Sequence, residues 1–271
     1  MDPESLLSRR RALTLLTGAG VAVIVGCSSD DKSSAGASTS SSSSGSSSSS
    51  SSSSATASSA TATKVVAEET EGPFPGDGSN GPNVLTQDGV VRSDITTSVG
   101  SFSGTAAGVP TTIELTIVDA GNGGAPVKGA AVYIWHCDQD GNYSLYSSAA
   151  KNQNYLRGVQ ETDANGKVTF KTIFPACYSG RWPHVHYEVY PSLDAISSAS
   201  KKIATSQLAI PKDICDAVYA TSGYEASVRN LSQVSLSRDM VFSDGVDTET
   251  PTVTGDPSSG ITLTMASPVN V

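Results

Sequence analysis

Apolar and polar residues alternate along several short stretches of this chain, and only one stretch suggests helix. Residues 167–175, KVTFKTIFP, alternate as a strand with one buried face requires. Residues 111–120 (TTIELTIVDA) and 129–138 (GAAVYIWHCD) are rich in β-branched and aromatic side chains. The turn-forming run GNGGAPVK between them predicts that they pair as neighbouring strands. HVHYEVYP (184–191) and ATSQLAIP (204–211) predict two further strands, and ETDANG before Lys167 predicts a turn. Residues 212–231 alone suggest helix, in short pieces. Strands at this spacing, separated by Gly, Pro and Asn, predict an all-β fold, an antiparallel β-sandwich with short helices and long loops. There is no internal repeat. The glycine-rich GDGSNGP (76–82) lacks the strand-and-helix context of a phosphate loop.

Composition divides the chain. From Ser33 to Thr63 it is almost wholly Ser, Ala, Thr and Gly, with no large apolar side chain to offset backbone entropy. Residues 28–64 are therefore expected to be a disordered linker, and residues 65–271 one catalytic-sized domain. Residues 1–27 read as an export segment. SRRRAL supplies charge, and TLLTGAGVAVIVG is an apolar run too short for a permanent membrane span. The paired arginines resemble a twin-arginine signal, and VIVGC resembles a lipobox that would place a lipid on Cys27. The expected location is outside the cytoplasm, as a surface lipoprotein or a secreted protein, with contact to membrane only through that anchor. A net charge of −9 argues against nucleic acid as a partner, since phosphate would be repelled. With Cys27 lipidated, Cys137, Cys177 and Cys215 remain, enough for one disulfide in an oxidising compartment, its pairing open.

The chemistry concentrates at residues 177–190, CYSGRWPHVHYEVY, which hold two of the three histidines of the chain. On a strand His184 and His186 share a face about 7 Å apart, a spacing that suits a metal ion. An H-x-H pair is as often hydrogen-bonded core, so further donors are needed to decide. The third histidine, His136, follows Trp135 on a predicted strand and could complete a three-histidine zinc site.

The segment NYLRGVQETDANGKVTFKTIFPACYSGRWPHVH closely resembles the part of the intradiol ring-cleavage dioxygenases that carries three iron ligands. GAAVYIWHCDQDGNYS resembles the strand and loop that supply a fourth, and TEGPF (70–74) resembles an element lining their substrate pocket. The resemblance implies that Tyr143, Tyr178, His184 and His186 hold one non-haem Fe(III), with Tyr178 the ligand that substrate displaces. It implies a stabilising guanidinium at Arg181 and a supporting amide at Gln207. Thr70, Gly72, Pro73 and Phe74 would line the pocket, Phe74 standing where the family often has tyrosine. His136 is then structural, and Tyr146, Tyr155, Tyr187 and Tyr190 belong to core or pocket wall. The donor types suit ferric iron, because phenolates are hard charged oxygens and imidazole is an accepted partner. The implied reaction opens a catechol-type ring between its two hydroxylated carbons with O2, giving a cis,cis-muconate-type diacid, without an organic cofactor. A homo-oligomer is compatible with this reading. The competing readings are a non-catalytic β-sandwich binding module and a zinc hydrolase built on the histidine pair.

Overall fold

The computed structural model describes residues 63–271. The readings made for the export segment, for Cys27 and for most of the serine-rich linker fall outside those residues. Among the described residues nine strands form two sheets. The first contains β1 (Pro110–Asp119), β2 (Ala125–Pro126), β5 (Lys167–Ile173), β8 (Thr252–Asp256) and β9 (Gly260–Val269). The second runs β4 (Arg157–Glu161), β3 (Ala131–Trp135), β6 (His184–Tyr190), β7 (Ala204–Ala209). Between the sheets Ile113, Leu115 and Ile117 of β1, Phe170 of β5 and Leu263 of β9 meet Val132 and Ile134 of β3 and Val185, Tyr187 and Val189 of β6. The sandwich expected from the alternation is therefore present.

Two expectations about its wiring need correction. Residues 111–120 and 129–138 do not pair. β1 bonds to β2, β5 and β9 in one sheet, while β3 bonds to β4 and β6 in the other. The Gly-rich segment between them contains β2, which folds back on β1 at Val118 and Asp119 before the chain crosses to the second sheet. Turn formers mark a reversal, and they do not say which strand receives the chain afterwards. The sandwich is also not wholly antiparallel, since β1 and β9 run parallel from Thr111↔Ile261 to Asp119↔Val269. The helical stretch resolves into α1 (Lys212–Tyr219) and α2 (Glu225–Leu231), as its composition suggests. Cys137, Cys177 and Cys215 are all buried free thiols, so no disulfide joins them.

The second sheet has two buried faces. One meets β1, β5 and β9 across the core. The other carries Ala131, Tyr133 and Trp135 of β3 beneath a roof of loops contributing Val84, Leu85, Val90, Ala195 and Ile196. Every residue of β6 is consequently buried. The candidate site lies on this roofed face.

Glu249, beside the end of β7, shows what such burial costs a charged group. Its carbonyl accepts the Ala209 N–H at 2.9 Å, yet both carboxylate oxygens are buried without a partner among the described residues. Burial, followed by the Glu69 and Asp244 carboxylates, pushes its pKa up to about 8 from 4.5. Between those values the unfolded chain releases a proton that the folded chain retains, so this group's contribution to stability is present in acid and lost as pH rises. Glu249→Gln is expected to match wild type near pH 4.5 and to become progressively the more stable up to pH 8, as measured by urea unfolding across that range.

Candidate active site

Alternation along β6 sends Val185, Tyr187 and Val189 into the core and His184 and His186 toward the roof. Tyr143 arrives on the loop after β3, and Tyr178 on the loop between β5 and β6. The first loop is tied by Asp138, whose Oδ1 accepts the Asp140 and Asn142 N–H groups at 3.0 and 2.8 Å. Gly141, at φ +86°, passes so close to Tyr178 that a Cβ there would lie 3.1 Å from the Tyr178 Cβ. Glycine thus lets the two tyrosine loops approach one another.

Four donor atoms converge. Tyr143 Oη lies 3.4 Å from Tyr178 Oη and 3.3 Å from His184 Nε2. His184 Nε2 lies 3.2 Å from Tyr178 Oη and 3.1 Å from His186 Nε2. His184 Nδ1 meets the Trp182 carbonyl at 2.5 Å. A carbonyl can only accept, so Nδ1 carries the hydrogen and Nε2 offers its lone pair to the group. The His186 ring stacks on Trp135 with centroids 4.8 Å apart and planes 4° from parallel. Gly72, at φ +70°, comes near enough to the Cε1 edge of the ring that a Cβ would touch it at 3.4 Å.

Burial, with Arg181 next in effect, lowers the His184 pKa to about 3, and burial then His184 lower that of His186 well below its usual value. Both imidazoles are therefore neutral at physiological pH. Burial raises Tyr143 well above 10 and Tyr178 to about 12. Two neutral imidazoles and two phenols that ionise only with difficulty make a donor set that wants a cation. A multivalent hard ion would take the imidazole lone pairs and stabilise the phenolates that burial disfavours. The residues present fit such an ion. Tyr143 is 2 % exposed, whereas Tyr178 is only partly buried and stands nearer solvent.

Of the other expected residues, Arg181 and Gln207 are joined to each other, with Arg181 Nη2 donating to Gln207 Oε1 at 2.8 Å. Gln207, opposite His186 in the β6–β7 register, donates through Nε2 to the Thr70 carbonyl at 2.9 Å. Phe74 packs against Tyr143 and Tyr146 at 5.1 Å between centroids in each case. The Thr70 hydroxyl is spent on its own turn, accepting from Gly72 N–H, and Pro73 is exposed with its carbonyl bound to Asn80. His136 stands apart, donating from Nδ1 to the Cys137 carbonyl at 2.8 Å and meeting Thr172 Oγ1 at 2.7 Å. Tyr155 and Tyr190 donate their hydroxyls to Asp138 and Glu188, and the Tyr187 hydroxyl is hydrogen-bonded with that of Ser267.

The carboxylates of Glu71, Asp77 and Glu188 also lie close enough together to suit a cation. They already have one. Lys202 Nζ contacts Glu188 at 2.8 Å, Asp77 at 3.4 Å and Glu71 closer still. This cluster pins the 69–77 segment to the sheet.

Two residues at the site escaped the sequence reading. Arg157, only 1 % exposed, donates to Ser144 Oγ and O and to the Phe74 and Pro75 carbonyls, all within 3.0 Å, and to Tyr133 Oη at 3.0 Å. It thereby fastens the Tyr143 loop to the pocket segment. Asp239 is buried against Arg181. Arg157 stands in the LRG motif already quoted and could have been suspected there, whereas nothing local marks Asp239.

The β-sandwich thus gathers two tyrosines and two histidines beneath one roofed sheet, a donor set that a metal ion could occupy. A family profile described as dioxygenase matches residues 81–212. Chlorocatechol 1,2-dioxygenase of Rhodococcus opacus is 40% identical over 55 residues, 20% of this chain and 21% of that protein. Hydroxyquinol 1,2-dioxygenase of Corynebacterium glutamicum is 35% identical over 79 residues, 29% of this chain and 25% of that protein. The matched segments thus span about a fifth to a quarter of the length of these curated relatives. In fold, the chain is similar to an intradiol ring-cleavage dioxygenase from Tetranychus urticae, with TM-score 0.60 and 24% identity over 77% of this chain and 95% of the other. The chain is thus similar to dioxygenases in sequence over residues 81–212 and to an intradiol ring-cleavage dioxygenase in fold.

Proposed function

We propose that this protein is a non-haem Fe(III) intradiol dioxygenase, opening catechol-type rings between the two hydroxylated carbons with O2 to give cis,cis-muconate-type diacids. The observation that carries the reading is the convergence of Tyr143 Oη, Tyr178 Oη, His184 Nε2 and His186 Nε2, each within 3.4 Å of another. These four residues would hold the iron, which when bound supplies Lewis acidity and a place for both catechol oxygens. Tyr143, sealed from solvent, is suited to remain bound throughout. Tyr178, nearer solvent, is suited to give way to substrate and to accept one of its hydroxyl protons at Oη. Phe74 and the turn at Gly72 close one wall and keep bulk water from the ring. Gln207 holds that wall through the Thr70 carbonyl.

Arg181 would stabilise negative charge on the ring oxygens. Replacing it with Ala is expected to lower turnover per bound iron about a hundredfold, the usual cost of one preorganised donor, with iron content unchanged. Arg181→Lys, which keeps the charge but not the planar fork, should recover only part of the loss. The test of the whole reading is optical and respiratory. Purified protein loaded with Fe(III) should be burgundy through tyrosinate charge transfer, shift to longer wavelength with catechol under anaerobic conditions, and consume O2 on admission of air. Protein that is colourless with iron, or active with zinc, overturns it.

A further inference from the structure

Asp239 lies 58 residues beyond Arg181 and outside the 81–212 stretch that matches the family profile. Its side chain is wholly buried. Oδ2 accepts Arg181 Nε at 3.0 Å and the Trp182 N–H at 2.6 Å. Oδ1 accepts the Val241 and Phe242 N–H groups at 2.9 and 3.2 Å. The Phe242 ring in turn lies under the Arg181 guanidinium at 5.6 Å and against His184 at 6.4 Å. Arg181 is thus held on three sides, by Asp239 at Nε, by Gln207 at Nη2 and by Phe242 beneath its plane. Among the described residues Nη1 has no hydrogen-bond partner, so its hydrogens remain free to donate.

The consequence is electrostatic as well as geometric. Arg181 is linked to the four converging donors through Gln207, which lies opposite His186 in the sheet register, and through Phe242, which packs against His184, and a buried carboxylate balances its charge at hydrogen-bond distance. Glu69 adds a second acid near Arg181, its carboxyl pushed up to about 7 chiefly by burial, then by Asp244, against the pull of Arg181. A ring hydroxyl or a developing oxyanion can still take the Nη1 hydrogen. A ring carboxylate meets a guanidinium already paired, with acids around it. Resting on the ring-cleavage reading above, we propose that Asp239 is a positioning residue that sets substrate class: by neutralising and orienting Arg181 it fits the site to catechols without a ring carboxylate and disfavours carboxylated ones.

The test compares catechol with 3,4-dihydroxybenzoate on the full chain loaded with Fe(III), for wild type and Asp239→Asn. Both kcat and KM are measured at fixed ionic strength, and anaerobic binding is followed by the visible band. Wild type should favour catechol in kcat/KM. Asp239→Asn keeps the size of the side chain, removes its charge and leaves Arg181 uncompensated, so both rings should turn over more slowly as the fork loses its alignment. The preference for catechol should nevertheless narrow by about tenfold, through tighter binding and lower KM of the carboxylated ring. A purely structural Asp239 would depress both rings alike, and an unchanged ratio in the variant therefore overturns the proposal. So does a wild type that prefers 3,4-dihydroxybenzoate, a result that stands even where the variant does not fold. Wild type that binds and cleaves neither ring removes the ring-cleavage reading and this one with it, whereas cleavage of catechol with an unaltered ratio removes only the role of Asp239.

Discussion

For the proposed Fe(III) centre, Tyr143→Phe is expected to lose iron and turnover together, while Tyr178→Phe keeps much of the iron and loses turnover alone. The two phenols lie 3.4 Å apart, and the difference comes from burial. Tyr143 is 2 % exposed and its ring is packed against Phe74, so no water can take the position its oxygen leaves. Loss of that donor should weaken iron binding by more than about a hundredfold, beyond what loss of a mere supporting contact costs. Tyr178 is only partly buried, and solvent can replace its oxygen. What Tyr178→Phe cannot replace is the proton acceptor, a contribution of about 10²- to 10⁴-fold in rate. Iron per chain and turnover per iron, measured on both variants, separate the two roles. Wild-type values of both quantities in either variant would remove that tyrosine from the centre.

Arg157→Leu is expected to be the most damaging change away from the four donors. The guanidinium makes five hydrogen bonds, all to neutral acceptors, and has no carboxylate partner among the described residues. Leucine would leave the Ser144 carbonyl buried and unpaired and take the donor from the Phe74 carbonyl, while the Pro75 carbonyl would keep the Tyr133 hydroxyl. An acceptor left buried and unsatisfied costs about 1–3 kcal/mol. Two leucines bracket this clamp in the left-handed region, Leu145 after Ser144 at φ 71° and Leu156 before Arg157 at φ 56°. Each costs of order 1 kcal/mol and persists only because its surroundings hold it. Urea unfolding should show the loss directly. Arg157→Lys should recover part of it, since an ammonium can reach some acceptors but not both segments at once. A midpoint unchanged in Arg157→Leu would show that the clamp carries no stability.

The legibility of the sequence follows from how local each signal is. β5 announces itself because one face is buried and the other is not, which leaves alternation in the residue string. β6 does not alternate, being buried on both faces, yet its β-branched and aromatic content and the H-x-H spacing were enough to place His184 and His186 on one side. The β8–β9 hairpin went unread although ITLTM alternates and DPSSG before it is a turn. The pairing of β1 was misjudged because a parallel partner, β9, lies far along the chain and leaves no mark near β1 itself. The four donors were legible because three fall within nine residues and the fourth follows a strand of the same motif. Arg157 and Asp239 were not, since a buried guanidinium and a remote carboxylate acquire meaning only when the chain brings their partners to them.

The complete burial of β6 also limits how this centre can be altered. A strand with one face in water has neutral positions, where substitutions accumulate without touching what lies beneath. β6 has none. Val185, Tyr187 and Val189 support the sandwich from one side while His184 and His186 furnish donors on the other, and a shift in any side chain moves the backbone that both share. Stability and reactivity are therefore mechanically inseparable along these seven residues. Under the proposed function, adaptation to a new ring must come from the loops above the sheet, from Phe74, from Tyr146 and from the segment around Asp239, where a side chain can change its reach without disturbing the strand that carries the histidines.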